Sequence, residues 1–445
     1  MNDMTAFRSM LLRGVDGASL AAFRIAFGVL MLWEVVRYFA HNWIREYWIE
    51  PTFHFQYLGF DWVLPWNGVG MYVHFGLLGV TAVGIALGYY YRACSILFLV
   101  GFAFQFVLEQ ARYLNHFYAA VLFALLLVVV PANAVWSVDS WERSTSRKSR
   151  SIPLWALWLL RFQVSCVYIF AAIAKLNDGW VSGAAWGIML QSRRGVPLVD
   201  LLSAWDVERF VLGWGGLLFD LLVVPGLLWS RTRGIAFSLA VLFHFLNSQL
   251  FHIGIFPWMM LAATTLFFHP AWPRELLTFV SGRPGRTLRS PHSNTPMRIS
   301  AFTALAVYVV LQTAIPLRHY LYPGDVAWTE EGHRFSWRMM LRAKRGAATF
   351  RIVSSSDTVI VKPLEYLRPW QLEVMTTRPD MILQFAHFLV RDAEKQGKGH
   401  PRVYVDVQVA LNGGRPHALI DPRVDLGSQP RNLWAASWIT QPDNR

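Results

Sequence analysis

LRFQVSCVYIFAAIAKLNDGW, residues 160–180, is an apolar helical run that ends on a lysine, Lys175. With the apolar residues before it, the run reaches the roughly 20 residues needed to cross a bilayer. An amine in the last turn of such a segment has two readings. It can snorkel its ammonium to the nearby interface. Alternatively it stays at depth, where burial disfavours the charged form and suits the amine to act as a base. An ionisable group inside a membrane is a candidate functional residue by default.

The rest of the chain has the same texture. Hydrophobic residues make up 54%, aromatics 15% and charged residues only 16%, where a soluble protein carries nearer a quarter charged. Apolar runs recur at 19–39, 71–90, 93–110, 113–131, 155–176, 209–229, 233–250, 253–269 and 299–316. These predict a polytopic α-helical membrane protein of about nine spans. The first run, SLAAFRIAFGVLMLWEVVRYF, is too long for a signal-peptide core and reads as a retained helix.

Arginine and lysine alternate between loops as the positive-inside rule demands. Arg8, Arg13, Arg92, Arg143, Arg147, Lys148, Arg150, Arg231, Arg233, Arg274, Arg283, Arg286 and Arg289 fall on one side. That side is cytoplasmic if the N-terminus is. The net charge of +13 is then topological, and no nucleic-acid partner is needed to explain it. Cys94 and Cys166 both fall in spans and read as small core residues.

Two domains follow, a membrane domain over 1–318 and a small α+β extracytoplasmic domain over 319–445. In the second, VYVDVQVALN (403–412) alternates as a strand, a Gly-Gly turn follows at 413–414, and HALID returns. RPDMILQFAHFLVRDAEKQ (378–396) has the spacing of an amphipathic helix. Residues 281–296 read as a cytoplasmic linker.

This topology gathers the unusual polar residues at the outer face. Lys175 ends the fifth span, Asn115 and His116 begin the fourth, and FHFLNSQLFHIGIF brings His244, Asn247, Ser248, Gln249 and His252 to the same level. Apolar walls with a few convergent polar groups are the ordinary make-up of a small-molecule site. The same amides also suit helix–helix hydrogen bonds, and His244 and His252 also suit a packed core. Arg161 lies about 21 Å below Lys175 on the same helix. Asp220 is read at a similar depth, which predicts a structural pair with Arg161 or Arg24. Clustered histidine motifs, HExxH, GxSxG and a P-loop are all missing, so a metal centre is not expected.

Beyond these readings the chain resembles the vitamin K-dependent gamma-glutamyl carboxylase family, in the wider group with the horizontally transferred transmembrane domain. The resemblance runs in order through SLAAFRIAFGVLM, YYYRACSILF, NHFYAAVLFALLLVV, IFAAIAKLNDGW, GWGGLLFDLL, FHFLNSQLFHIGIF, FSWRMM, YVDVQVALN, IDPRVDL and ASWITQP. It implies a membrane enzyme that couples epoxidation of a reduced naphthoquinone, vitamin K hydroquinone or menaquinol, to γ-carboxylation of protein glutamate. Oxygen and carbon dioxide are the co-substrates it implies. Lys175 is implied as the base that deprotonates the hydroquinone, and His116 as the residue that handles the glutamyl carbanion. Asn115, His244, Asn247, Gln249 and His252 are implied around the quinone. Arg423, Tyr404 and Trp337 are implied around the glutamate.

Two departures qualify the resemblance. Ala174 stands where animal members carry a second lysine, and those members continue well past ASWITQP into a domain involved in engaging the propeptide, so the resemblance does not extend to propeptide recognition. Short loops and the lack of a disulfide framework suggest a bacterial inner membrane. Two alternatives remain open, a quinol epoxidase or oxidase that carboxylates no peptide, and a membrane carrier or lipid-binding scaffold.

Overall fold

The computed structural model describes residues 9–142, 151–191, 195, 200, 208–251, 253–282, 299–355 and 357–442. His252, the arginine cluster of 143–150, and Arg193, Arg194 and most of the 281–296 linker lie outside the described residues.

Helices occupy every apolar run read from the sequence: α1 (Ala18–Ala40), α2 (Val69–Leu87), α3 (Tyr91–Val107), α4 (Asn115–Val129), α5 (Leu154–Lys175), α6 (Glu208–Leu228), α7 (Arg233–Leu250), α8 (Phe256–Thr264) and α9 (Ile299–Leu317). Among the described residues, five are long and apolar enough to cross a membrane: α1, α2, α5, α6 and α9, the last with its continuation. The helices α3, α4 and α8 with its following turn are apolar but shorter. Length and composition therefore support five crossings, fewer than the nine read from the sequence. Polar groups shorten the apolar runs, since Asn115 opens α4 and Ser248 and Gln249 close α7.

Close packing of the first two helices depends on Gly28 on α1. A Cβ there would lie 2.6 Å from the Ala86 nitrogen and 2.7 Å from the Ala82 carbonyl, and small residues permit such backbone approach between membrane helices. The buried Arg24 on α1 donates to the Trp136 carbonyl at 2.5 Å. Arg161 on α5 donates to the Leu266 and Phe268 carbonyls at 2.8 and 3.3 Å. Both arginines are thus held by backbone oxygens, and neither pairs with Asp220 as the sequence reading expected.

Two short strands, β1 (Gly14–Asp16) and β2 (Ser151–Pro153), pair antiparallel. The C-terminal sheet is antiparallel with order β4-β3-β5-β6, formed by β3 (Lys344–Val353), β4 (Thr358–Val361), β5 (Arg402–Leu411) and β6 (His417–Ala418). Val403, Val405, Val407 and Val409 of β5 face inward, while Arg402, Asp406 and Gln408 point out, the period-two pattern of a half-buried strand. Helix α10 (Pro379–Lys395) lays Ile382, Phe385, Ala386 and Leu389 on that apolar face, at helical spacing. The strands β3 and β4 went unrecognised in the sequence. The first half of β3, KRGAA, has no apolar alternation to reveal it.

This small domain is bonded to the loops of the helical bundle. Gln371 and Gln384 donate to Glu109 and Gln110 at 2.9 and 2.7 Å. Arg368 pairs with Glu50 at 2.7 Å, and Arg431 with Asp61 at 2.5 Å. Phe55 and Ala111 from those loops enter the domain's own apolar core. The domain is seated on the bundle as a lid.

Candidate active site

A cavity of about 470 Å³ lies between the bundle and the lid, within the ordinary range for small-molecule sites. Its walls include Val167, Ala171, Phe243, Phe251, Ile253 and Phe256, together with Trp180 and Trp186. Asn115, His116, Lys175, His244 and Asn247 all line it.

The position of Lys175 follows from how α5 ends. The Asn177 side chain accepts from the Trp180 backbone N–H at 3.0 Å and caps a short turn. That turn brings Trp180 across to α6, where its indole N–H donates to the Gly213 carbonyl at 2.8 Å. In a helix each Cα–Cβ bond tilts toward the N-terminus, so the lysine side chain reaches back into the bundle. There its Nζ forms an ion pair with Asp220 on α6, both side chains being buried. The same Nζ lies 5.3 Å from the Trp180 ring. Lys175 does not snorkel.

Beside this pair, Tyr168 on α5 and His244 on α7 are joined at 2.7 Å, hydroxyl to Nε2. His116 stands at the start of α4 with its ring 4.6 Å from Phe117 and 6.3 Å from Phe256. Asn115 accepts from the Tyr113 hydroxyl at 3.0 Å and donates to the Arg338 carbonyl at 3.4 Å. Tyr113 in turn accepts the Phe335 N–H at 2.6 Å. Tyr113 and Asn115 thus fasten the segment 335–338 over the cavity.

That segment is strained. Glu330, Phe335, Trp337 and Met340 take φ values of 62°, 63°, 55° and 53°, a left-handed region costly for residues with side chains. The segment supplies most of the cavity roof, through Glu330, His333, Arg338, Met339, Met340, Leu341 and Arg342, with Lys344, Thr377 and Arg378 beside it. Glu330 is the hub. Its carboxylate binds Arg342 through both oxygens and Lys344 at 3.2 Å. Burial works against its charge, yet Arg342, Lys344, His333 and Arg378 hold it well below the usual carboxylate range. Burial lowers the Lys344 ammonium to about 8 against the pull of Glu330. Burial, with Arg342 adding to it, keeps His333 well below the usual histidine range, and its Nδ1 stands 3.3 Å from Arg342 Nη1.

Other residues singled out from the sequence lie elsewhere. Gln249 is exposed and donates to Ser248 Oγ at 3.2 Å. Trp337 is fully buried, 5.0 Å from the Tyr118 ring, behind the roof. Tyr404 sits in β5 opposite Arg351. Arg423 has 87% of its side chain exposed and pairs with Asp421 at 3.0 Å. None of these four is among the cavity-lining residues. The sequence reading in turn missed Tyr168, Asp220, Glu330, His333, Arg338, Arg342, Lys344 and Arg378 as site residues. The dense charge of EEGHRFSWRMMLRAK, in a lid otherwise rich in apolar strands, was the available signal for the roof.

The family model for the HTTM domain matches residues 12–272. The model for the lumenal domain of vitamin K-dependent gamma-carboxylase matches residues 298–445. The chain belongs to the vitamin K-dependent gamma-carboxylase family. The two matches meet at the cavity, the first contributing Lys175 and its neighbours and the second the roof. No solved structure matches the chain. Family membership and the apolar helices together make it an integral membrane, carboxylase-like protein, and the family implies vitamin K hydroquinone and a glutamate-containing protein substrate.

Proposed function

We propose that this chain is a membrane carboxylase that couples epoxidation of a reduced naphthoquinone to γ-carboxylation of glutamate in a protein or peptide. The observation that carries the reading is the buried Lys175–Asp220 pair in a cavity with apolar walls and a polar lid. A flat apolar ring with two hydroxyls suits such a chamber. Val167, Ala171, Phe243 and Phe256 would hold its faces, and Asn115, His244 and Asn247 its oxygens.

When bound, the hydroquinone and oxygen supply the strong base that no side chain offers, ending as the epoxide and one water. The residues prepare that reaction. The Lys175 amine and the Asp220 carboxylate share a hydrogen bond. With their shared proton on Asp220, the amine is free to accept another from a hydroquinone hydroxyl. The ammonium then lies against the oxygen it has deprotonated, with Asp220 steadying it. His116 faces the same space and serves the glutamyl side of the reaction. There the γ C–H proton leaves to the strong base, its electron pair stays on carbon, and carbon dioxide adds there. Lid and walls exclude water, which would quench a strong base.

The reading includes an arrangement in the membrane. All nine helices cross or enter the bilayer, the N-terminus is cytoplasmic, and residues 319–445 form the extracytoplasmic lid. The arginine asymmetry of the loops supports this orientation.

The test is epoxide formation by the purified protein with hydroquinone and oxygen, with and without a glutamate peptide and labelled bicarbonate, against Lys175→Ala. Epoxide plus label in the peptide, both lost in the variant, is the expected result. Epoxide without label leaves a quinol epoxidase. No epoxide from folded protein overturns the reading.

A further inference from the structure

A helix over Trp272–Ser281 follows α8 and its turn, and its two sides are arranged in the reverse of the usual order. Pro273 stands in its first turn, and Gly282, at a φ of 63°, ends it. Its polar side faces the protein. Arg274 Nε donates to both Asp16 carboxylate oxygens at 3.1 and 2.9 Å, and the guanidinium lies 5.3 Å from the Trp136 ring. Thr278, one turn on, donates to the Arg274 carbonyl at 2.8 Å. The apolar side is bare: Leu276, Leu277, Phe279 and Val280 are 52, 57, 86 and 76% exposed. A surface helix in water turns such a stripe toward the core. Scattered exposed apolar residues need no explanation, but four on one face mark an interaction surface.

The surroundings say what covers it. Just before the helix, the Pro270 carbonyl accepts the Ser19 N–H at 3.1 Å. Ser19 is in the first turn of α1, so the helix starts at the level where the first candidate membrane span begins. The loops at this end are tied together, since the Asp139 N–H donates to the Gly88 carbonyl and the Asp139 carboxylate accepts the Tyr91 N–H, each at 3.1 Å. These loops expose Tyr89, Tyr90 and Trp141, residue types that collect at the membrane–water boundary. Arg13 and Arg92 are exposed at the same end and carry the charge that anionic headgroups attract. The helix is about 15 Å long at 1.5 Å per residue. That is about half the hydrocarbon thickness, so it can lie along a bilayer but not cross one.

We infer that the helix Trp272–Ser281 lies in the plane of the membrane interface, with Leu276, Leu277, Phe279 and Val280 set into the lipid at the boundary of headgroups and acyl chains. The leaflet is the one on the arginine-bearing side. An interfacial helix ordinarily offers its polar face to water. Here that face is fastened to Asp16 and laid along the start of α1, so the helix fixes the depth at which α1 enters the bilayer. The inference stands apart from the quinone and glutamate chemistry.

The experiment uses the full-length chain in lipid nanodiscs, with Cys94→Ala and Cys166→Ala as the background. Phe279→Cys and Glu275→Cys, on the bare apolar face and beside it, are each labelled with an environment-sensitive fluorophore. Quenching is read with a nitroxide on carbon 5 of the lipid acyl chain and with iodide in the water. The label at 279 should be quenched by the lipid nitroxide about threefold more than the label at 275, and iodide should show the opposite order. Val280→Cys replaces Phe279→Cys if that variant is not monodisperse. Equal quenching at the two positions overturns the inference. So does a label at 279 shielded from both quenchers, which would mean that protein covers the face. In that case energy transfer between differently labelled copies would identify the cover as a second copy of the chain.

Discussion

The floor and the roof of the cavity solve the same problem, charge out of water, in opposite ways. On the floor, two pairs of polar groups are matched: Lys175 with Asp220, and Tyr168 with His244. Helix walls surround them, and a lone ion among such walls is expensive. On the roof one carboxylate, Glu330, serves several cations. The roof is built on a strained loop and sheet edge that Tyr113 and Asn115 tie down. The floor's two charges are paired with each other and suited to moving a proton. The roof carries more cations than carboxylates.

The largest effect should come from the floor. Lys175→Ala is expected to cut hydroquinone epoxidation by about 10²–10⁴-fold, measured as epoxide formed per enzyme. Turnover near the wild-type level would remove the floor's role in proton transfer.

The next test is one of stability. Asp220→Leu strands a buried ammonium and is expected to cost about 3–5 kcal/mol, whereas Lys175→Met with Asp220→Leu should recover most of it, because an apolar pair of similar volume carries no desolvation cost. Thermal unfolding in detergent reads both. Equal losses in single and double variants would mean the pair is not the isolated buried unit described.

A smaller effect separates roof from floor by pH. His333 is held well below its ordinary value of 6.5 in the folded lid. Below about pH 6.5 the unfolded chain therefore binds a proton that the folded chain does not. Stability falls with acidification by about 1.4 kcal/mol per pH unit from this group. Glu330, whose carboxyl is also lowered, adds a further loss only below its ordinary 4.5. In a melt-versus-pH series, His333→Gln should reduce the first step, to which the lowered His319 and His387 also contribute, and keep the second. Unchanged acid sensitivity in that variant would place the titrating group elsewhere.

The smallest effect is expected at Arg423. The side chain is exposed, and its pair with Asp421 is a surface one, of a kind that contributes little. Arg423→Gln should leave the melting temperature where it was. A clear drop would show that this surface bears on the lid.

Apolar runs and their spacing determined the helical bundle, because a segment of roughly 20 apolar residues has few ways to satisfy its backbone other than as a helix. Alternation revealed β5, and helical spacing revealed α10. The convergence of Asn115, His116, Lys175, His244 and Asn247 was also legible, since helix ends on one face must meet at one level. Tertiary structure decided who pairs with whom. Counting residues put Asp220 at the depth of Arg161, but the turn at Asn177–Trp180 and the backward lean of the Lys175 side chain bring lysine and aspartate together. It also decided where the lid's cations face. Arg423 and Arg378 are both arginines beside aspartates in the sequence. Only the packing of α10 and β3 against the bundle turns Arg378 inward and leaves Arg423 in solvent. Burial depends on contacts between residues far apart in the chain, which local pattern does not encode.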